Sequence, residues 1–436
     1  MRRSIGASIA AAAVVLAPTS AAAQRVRERL GIAAEDDGGS EPLGDGIHPS
    51  GAVRTRIEVR DNATLFPQPE RGDGYAYHRL LGAVDVRHGP LRAYVQAGVW
   101  QEQGSNWPRV PLSTDRGDVQ QAFVDLTLGP KGRQLRLRGG RQELSYEFIA
   151  QRDNPNVRRA WDGARATALI AGWELDAFAM RLVTPRLGAF DDASSGGDRL
   201  SGLHLLSPAG EERPFYLSAY AYGVRQRAVV LFPTAQPART GTAGAAIDGR
   251  AGRLLYRASA AVQWGRTGAR RQSAHAYEAL VGWTWPDARW QPTVALRTDG
   301  FSGGSPDARV ARTWNPLFPD YAYSTEAALQ QPSNLRKAGL YATAKRGKLD
   351  VSYRGEGLWR FSARDAFYGP AGTQPVVPDG TAERWVGLQQ QLLARYAASE
   401  TVTVTAAYVN LRAGSFLRRA GQPGQHFSMI QAEWRF

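Results

Sequence analysis

The 436-residue chain has no cysteine. That single absence excludes disulfides, thiolate metal sites, a cysteine nucleophile and a lipid-bearing cysteine at a mature N-terminus. Long apolar runs are missing too. The apolar stretch from Ile5 to Pro18 is shorter than the ~20 residues a spanning helix needs, and nothing later in the chain reaches that length, so this is not a helical membrane protein. Lysine is scarce: of 54 basic residues only Lys131, Lys337, Lys345 and Lys348 are lysines, so the formal charge of +14 rests on arginine. HExxH is absent, and no Gly-x-Ser-x-Gly sits on a strand-to-helix turn.

What is present starts with an export signal. Met1-Arg2-Arg3, the Ala-rich apolar stretch and the small residues Ala21-Ala22-Ala23 predict a signal peptide over residues 1–23. A polar segment, 24–50, leads into one unit over 51–436. Export argues against nucleic acid as the partner of the arginines. GC-rich coding accounts for part of their excess, together with the abundant alanine and glycine. The chemical account is that planar guanidiniums grip carboxylates or phosphates two bonds at a time, which suits an anionic ligand.

From residue 52 the pattern has period two. In AVRTRIEVR, Val53, Thr55, Ile57 and Val59 fall on one face and Arg54, Arg56, Glu58 and Arg60 on the other, as in a strand. Similar segments recur near 78–88, 90–101, 117–128, 133–142, 160–170, 172–183, 198–207, 214–224, 239–250, 253–264, 272–285, 290–301, 334–346, 349–360, 383–397, 401–412 and 426–436, eighteen in all. Their connections alternate in length: short at His88-Gly89, 129–132, Ala171-Gly172, 249–252, 286–289, 346–348 and 399–400, long at 61–77, 102–116, 143–159, 184–197, 302–333, 361–382 and 413–425. This is the rhythm of an antiparallel up-and-down transmembrane β-barrel of about eighteen strands, with tight periplasmic turns and long outer loops. The last strand, from Ser428 to Phe436, ends on an aromatic, as outer-membrane assembly signals do. Tyr94, Trp100, Trp173, Tyr222, Trp264, Trp283, Trp285, Trp290, Tyr396 and Trp434 lie near strand ends and are expected to form interfacial girdles. Eighteen strands enclose an aqueous channel, whereas about eight are filled by their own side chains.

The stretch RDNPNVRRAWDGAR, Arg152 to Arg165, belongs to the third long loop and runs into the sixth strand. Folded into the lumen, its Arg152, Arg158, Arg159 and Arg165, moderated by Asp153 and Asp162, are expected to face Arg54, Arg56, Arg60, Arg92, Arg136, Arg138 and Arg141 from the wall. A solvated loop is the alternative, but Val157 and Trp161 favour packing. Asp153, Asn154 and Asn156 lack the rest of a calcium-loop pattern, so no metal and no cofactor are expected.

Gly140-Arg141-Gln142-Glu143-Leu144, Pro155-Asn156-Val157-Arg158-Arg159 and Trp161-Asp162-Gly163 together resemble the signature of the alginate-export family of Gram-negative outer-membrane proteins. The resemblance implies an integral outer-membrane barrel and a porin-like path by which an anionic polysaccharide, alginate or similar, or its sugar-acid fragments, diffuses passively through an Arg-rich lumen. Outer-membrane lipid and lipopolysaccharide, and periplasmic export components, are the further expected partners. Two other readings stay open: a general small-solute porin, and a barrel enzyme hydrolysing lipid or peptide, which would need a Ser/His pair assembled across strands from among the six histidines.

Overall fold

The computed structural model describes residues 44–61, 73–106, 108–208, 215–231, 234–369, 375–378 and 380–436. The expected signal peptide and most of the polar segment lie outside the described residues. The eighteen alternating segments are eighteen long strands: β1 (Gly46–Arg60), β2 (Asp73–His88), β3 (Leu91–Gln103), β4 (Asp115–Leu128), β5 (Arg133–Gln142), β6 (Trp161–Ile170), β7 (Trp173–Thr184), β8 (Ala193–Leu206), β9 (Phe215–Leu231), β10 (Thr234–Ala251), β11 (Leu254–Thr267), β12 (Arg270–Thr284), β13 (Thr293–Phe301), β15 (Leu335–Arg346), β16 (Leu349–Arg360), β17 (Trp385–Ala397), β18 (Val402–Ala413) and β19 (Gln425–Arg435). The remaining strand, β14 (Val310–Ala311), is a two-residue piece of a loop paired parallel to β12.

Each long strand pairs antiparallel with the next, β13 passing directly to β15, and β1 also pairs with β19, so the sheet closes on itself. At the seam Gly51 and Phe436 exchange backbone hydrogen bonds at 2.7 and 3.0 Å. Closure satisfies the backbone groups that an open edge would leave bare in lipid.

Period two now acquires direction. On β1 the side chains of Arg54, Arg56 and Glu58 are buried inside, while Val53, Ile57 and Val59 are exposed outside. Val84, Val95, Val124, Leu137, Leu203, Val262, Val281, Leu296 and Ile430 continue the exposed apolar surface around the wall. A water-soluble protein does not leave so wide an apolar belt bare; a membrane barrel places it in lipid. The chain is an integral outer-membrane β-barrel.

Four expectations need adjusting. β1 starts at Gly46, inside the segment read as a polar leader. β9 and β10 run past their expected ends, so only two residues join them, and β11 and β12 are likewise two residues apart at the same end. The long-loop end is therefore low on one side and tall on the other. Tyr94, Trp100 and Tyr222 are buried on the inner face and are not girdle residues, whereas Trp173, Trp264, Trp283, Trp285, Trp290, Tyr396 and Trp434 are exposed on the outer face. Finally, Arg141 and Asp162 face away from the lumen.

Candidate functional site

Two long loops, 143–160 between β5 and β6 and 302–334 between β13 and β15, turn back into the barrel. Their Leu144, Ile149, Trp314, Leu317 and Phe318 join inward strand residues such as Trp161, Phe178, Phe301 and Val409 in one buried apolar cluster. The loops also bind each other: the Ala150 N–H donates to the Phe318 carbonyl at 2.9 Å, and the Phe318 N–H to the Phe148 carbonyl at 3.1 Å. Phe148, Arg152, Leu317, Ala328 and Asn334 hold positive φ angles of 47–63°. Side-chain-bearing residues keep that backbone only where packing over-determines it.

The Arg-rich stretch is clamped to the wall. Arg54 Nη1 donates to Asp153 Oδ2 at 2.6 Å and its Nη2 to Asn156 Oδ1 at 3.0 Å. Arg79 donates to the other oxygen of Asp153 and, at 3.3 Å, to the Asn156 carbonyl. Burial alone would raise the Asp153 carboxyl, but the guanidiniums of Arg54, Arg79 and Arg158 outweigh it and hold the group well below the usual carboxylate range. The Asn156 amide donates to the carbonyls of His78 and Ser113, both at 3.1 Å. Arg56 and Arg60 share Glu58 at 2.6 and 2.7 Å, and Arg56 also reaches Glu326 of the second loop at 2.9 Å.

Arg152, Arg158 and Arg159 are brought inside as expected, but all three are buried and engaged with the protein. Arg152 donates to the Val157 carbonyl, and Arg158 lies 3.3 Å from Glu143. Arg159 donates to the carbonyls of Ala150 and Pro319 at 2.7 and 3.2 Å and stacks 5.5 Å from the Phe318 ring. Arg159 fastens the two loops together, while Arg152 and Arg158 bind within the first, and none of the three stands open in the lumen. The opposite anchor is on β15 to β17, where Ser324 donates to Glu356 at 2.8 Å, Arg354 to the Ser324 carbonyl at 2.6 Å, and Gln389 to Thr325 at 2.6 Å.

On the short-turn side of these loops the inner wall carries a positive sector. Cross-strand register places Arg87 opposite Arg92, Arg92 opposite Asp125, Asp125 opposite Arg138, and Arg138 opposite Arg165. Asp85 binds Arg87 and Arg92, both at 2.9 Å, and Asp125 binds Arg138 at 2.7 Å. Arg136 sits one inward position nearer the short turns, between Thr127 and Thr167, with no ion pair or side-chain hydrogen bond among the described residues. Five arginines here face two aspartates. Across β10 to β16 the signs alternate instead, four carboxylates with three cations, in the chain Asp248, Arg257, Glu278, Arg297, Asp299, Lys337 and Glu356.

Arg141 does not belong to this sector. It lies three residues beyond Arg138, and an odd spacing on a regular strand reverses the face. Its partner across β6 is Asp162, at 2.9 Å, also outward. The missed lumenal groups, Arg79, Arg87, Asp85 and Asp125, share the inward parity of the residues that were expected.

Glu147 sits between His204, at 2.9 Å, and Ser218, which donates to it at 2.9 Å. The serine therefore contacts the carboxylate and not the imidazole, which is not the order of a nucleophile–base relay. Gly300-Phe301-Ser302-Gly303-Gly304 matches the hydrolase spacing, but it follows β13 into an irregular loop, and Ser302 donates to the Arg312 carbonyl at 2.7 Å.

Among the described residues one carboxylate group has oxygens close enough to share a cation, Asp115, Asp118 and Asp192, within 4.8 Å of one another. Asp118 already accepts the Asp192 N–H at 2.9 Å and the Val119 N–H at 2.6 Å, with Arg141 at 3.5 Å. The group is a latch: it ties residues 185–192 to β4, together with the bond from the Phe190 N–H to the Gly117 carbonyl at 2.9 Å. Burial, then Asp118 and Asp115, push the Asp192 carboxyl up to about 7.

The family model described as alginate export matches residues 49–431 of this chain. No curated protein matches it. Among solved structures, Pseudomonas aeruginosa OccD3 (OpdP) is similar with a TM-score of 0.59 at 12% identity, over 91% of this chain and 95% of that one. The outer membrane protein OpdK from Pseudomonas aeruginosa scores 0.58 at 12% identity, over 90% and 98%. Acinetobacter baumannii OccAB1 scores 0.58 at 10% identity, over 89% and 96%. At such identities the likeness is one of fold.

Proposed function

The chain belongs to the alginate-export family, and from that premise we propose that its porin-like channel passes an anionic polysaccharide of the uronate type, or its sugar-acid fragments. The observation that carries the reading is the uneven charge of the inner wall: five arginines over two aspartates on β2 to β6, facing a wall across the lumen where four carboxylates alternate with three cations. A fixed cation in a narrow, partly dehydrated lumen acts over several ångströms, and an anion moving along the sector is held weakly at several points, as conduction requires. Arg136 is the cation with least internal compensation and is the one an incoming carboxylate meets at the short-turn side. The pore-lining role therefore passes to Arg87, Arg92, Arg136, Arg138 and Arg165, while Arg54, Arg56, Arg60, Arg152, Arg158 and Arg159 hold the inward loops.

We assign the barrel no catalysis, because its lumenal His204, Glu147 and Ser218 are in the wrong order for it. Periplasmic export components would deliver the polymer to the positive side. The test is reversal potential in a salt gradient across a planar bilayer, with block by oligouronates. Arg136→Glu should lower both anion selectivity and oligouronate block while leaving block by neutral oligosaccharides unchanged. A wild-type channel without anion preference, blocked equally by neutral and charged sugars, would make this a general small-solute porin.

A further inference from the structure

On the outer face of β7 to β12, register aligns six arginines in one row. Arg181 pairs with Arg199, Arg199 with Arg225, Arg225 with Arg239, Arg239 with Arg266, and Arg266 with Arg271. All six are exposed, and among the described residues none makes an ion pair or side-chain hydrogen bond. Like charges directly opposite each other across strands are destabilising. Five such contacts in succession oppose folding unless an external anion lies along them, and a local rule broken this consistently marks a binding surface.

The level of the row identifies the anion. Trp264 and Leu254 are outward residues of β11 ten positions apart, and Leu254 pairs with the outward Trp283. Ten residues at ~3.3 Å, tilted by ~40°, span roughly 25 Å along the membrane normal, the height of the apolar band between two aromatic girdles. Trp264 thus marks the outer-leaflet interface. Arg266 is the next outward position, about 5 Å beyond it, where lipid phosphates lie. Toward the membrane, two outward positions below Arg239 and Arg271, begins a shallow apolar groove lined by Ala243, Ala260, Val262, His275 and Tyr277. Four of the seven residues that line it are alanines, so few side-chain atoms project into it.

We propose that this row and groove form a docking site for a phosphorylated glycolipid of the outer leaflet: the guanidiniums bind its phosphates and the groove takes an acyl chain. The proposal rests on the membrane orientation above, with the long loops outward, and not on the choice of cargo. Bidentate arginine–phosphate pairs make such contacts strong and geometrically specific.

The test is native mass spectrometry of the full barrel in a neutral detergent, titrated with bis-phosphorylated lipid A. The wild type should retain the lipid, and R225Q/R239Q/R266Q should bind it roughly tenfold or more weakly. Arg395→Gln, an exposed arginine at the short-turn end, should bind as wild type. Arg239→Gln alone, as the mildest change, should give a smaller loss in the same direction. Heat-modifiable migration of every variant confirms a folded barrel; its absence in the wild type would sink the membrane reading itself. Equal lipid binding by the triple variant and the wild type overturns the proposal. So does a triple variant that keeps lipid A but loses a soluble oligouronate, since the row would then belong to the cargo.

Discussion

Asp153→Asn is the substitution that most directly separates the loops from the wall. Asp153 is the only carboxylate in contact with both Arg54 and Arg79 among the described residues, and those two guanidiniums are almost fully buried, at 1% and 6% exposure. An asparagine keeps the shape and can still accept one hydrogen bond, but it leaves two buried cations facing each other. Removing one partner of a buried pair costs about 3–5 kcal/mol, and the low end applies because the Asp153 side chain is itself 41% exposed. About 3 kcal/mol multiplies the open population of loop 143–160 by more than a hundredfold, without breaking any rung of the barrel. The expected result is a barrel with normal heat-modifiable migration and larger, noisier single-channel conductance. Hydrogen exchange should be faster at the Val157 amide, which donates to the Leu112 carbonyl at 2.9 Å. The charge is secure across ordinary pH. A carboxyl whose folded value is depressed contributes stability above its unfolded value near 4, and that contribution is lost only as pH falls through the folded value in strong acid. If D153N matches wild type in conductance and in loop exchange, the clamp does not hold the loop.

Three further outcomes are expected. Asp192 has a raised folded value of about 7, so its contribution to the loop latch is full below the unfolded value near 4 and lost as pH rises toward 7; proteolysis within residues 185–192 should increase between pH 5 and 8, and Asp192→Asn should flatten that change. Deleting Phe436 removes two seam hydrogen bonds and a ring packed 4.6 Å from Trp434, a loss of roughly 2–3 kcal/mol that should lower the folded fraction recovered from the outer membrane. Replacing Arg158 and Arg159 together by alanine should raise conductance noise as D153N does and shift ion selectivity less than Arg136→Glu, which paired bilayer recordings would show.

The barrel was legible because lipid on one side and polar groups on the other impose period two on every strand, and a tight turn must follow wherever glycine and proline interrupt it. Parity also placed Arg54, Arg92 and Arg138 inside. It was misapplied at Arg141, three residues from Arg138, and so at its partner Asp162. Direction could not be read for Tyr94, Trp100 and Tyr222, because an aromatic near a strand end suits either face. The inward course of residues 302–334 was hidden because Trp314, Leu317 and Phe318 show no periodicity until Phe148 and Ile149 meet them. The outer row of arginines is scattered over about ninety residues and becomes one line only when five registers are known.

The unequal rim has a mechanical consequence. β10 has 18 residues and β5 has 10, so at ~3.3 Å per residue and ~40° tilt the wall rises roughly 20 Å higher on one side than on the other. The hairpin carries a bulge between Gln236 and Ala238, and its Val229, Leu231 and Ala238 are buried with Ala366 and Tyr368 of the loop after β16, so it stands as a braced parapet. It gives the channel a front and a back. Neighbours in a crowded membrane meet different profiles as they approach from different directions. Atomic force topography of reconstituted barrels should accordingly show a one-sided ridge rather than a symmetric crown.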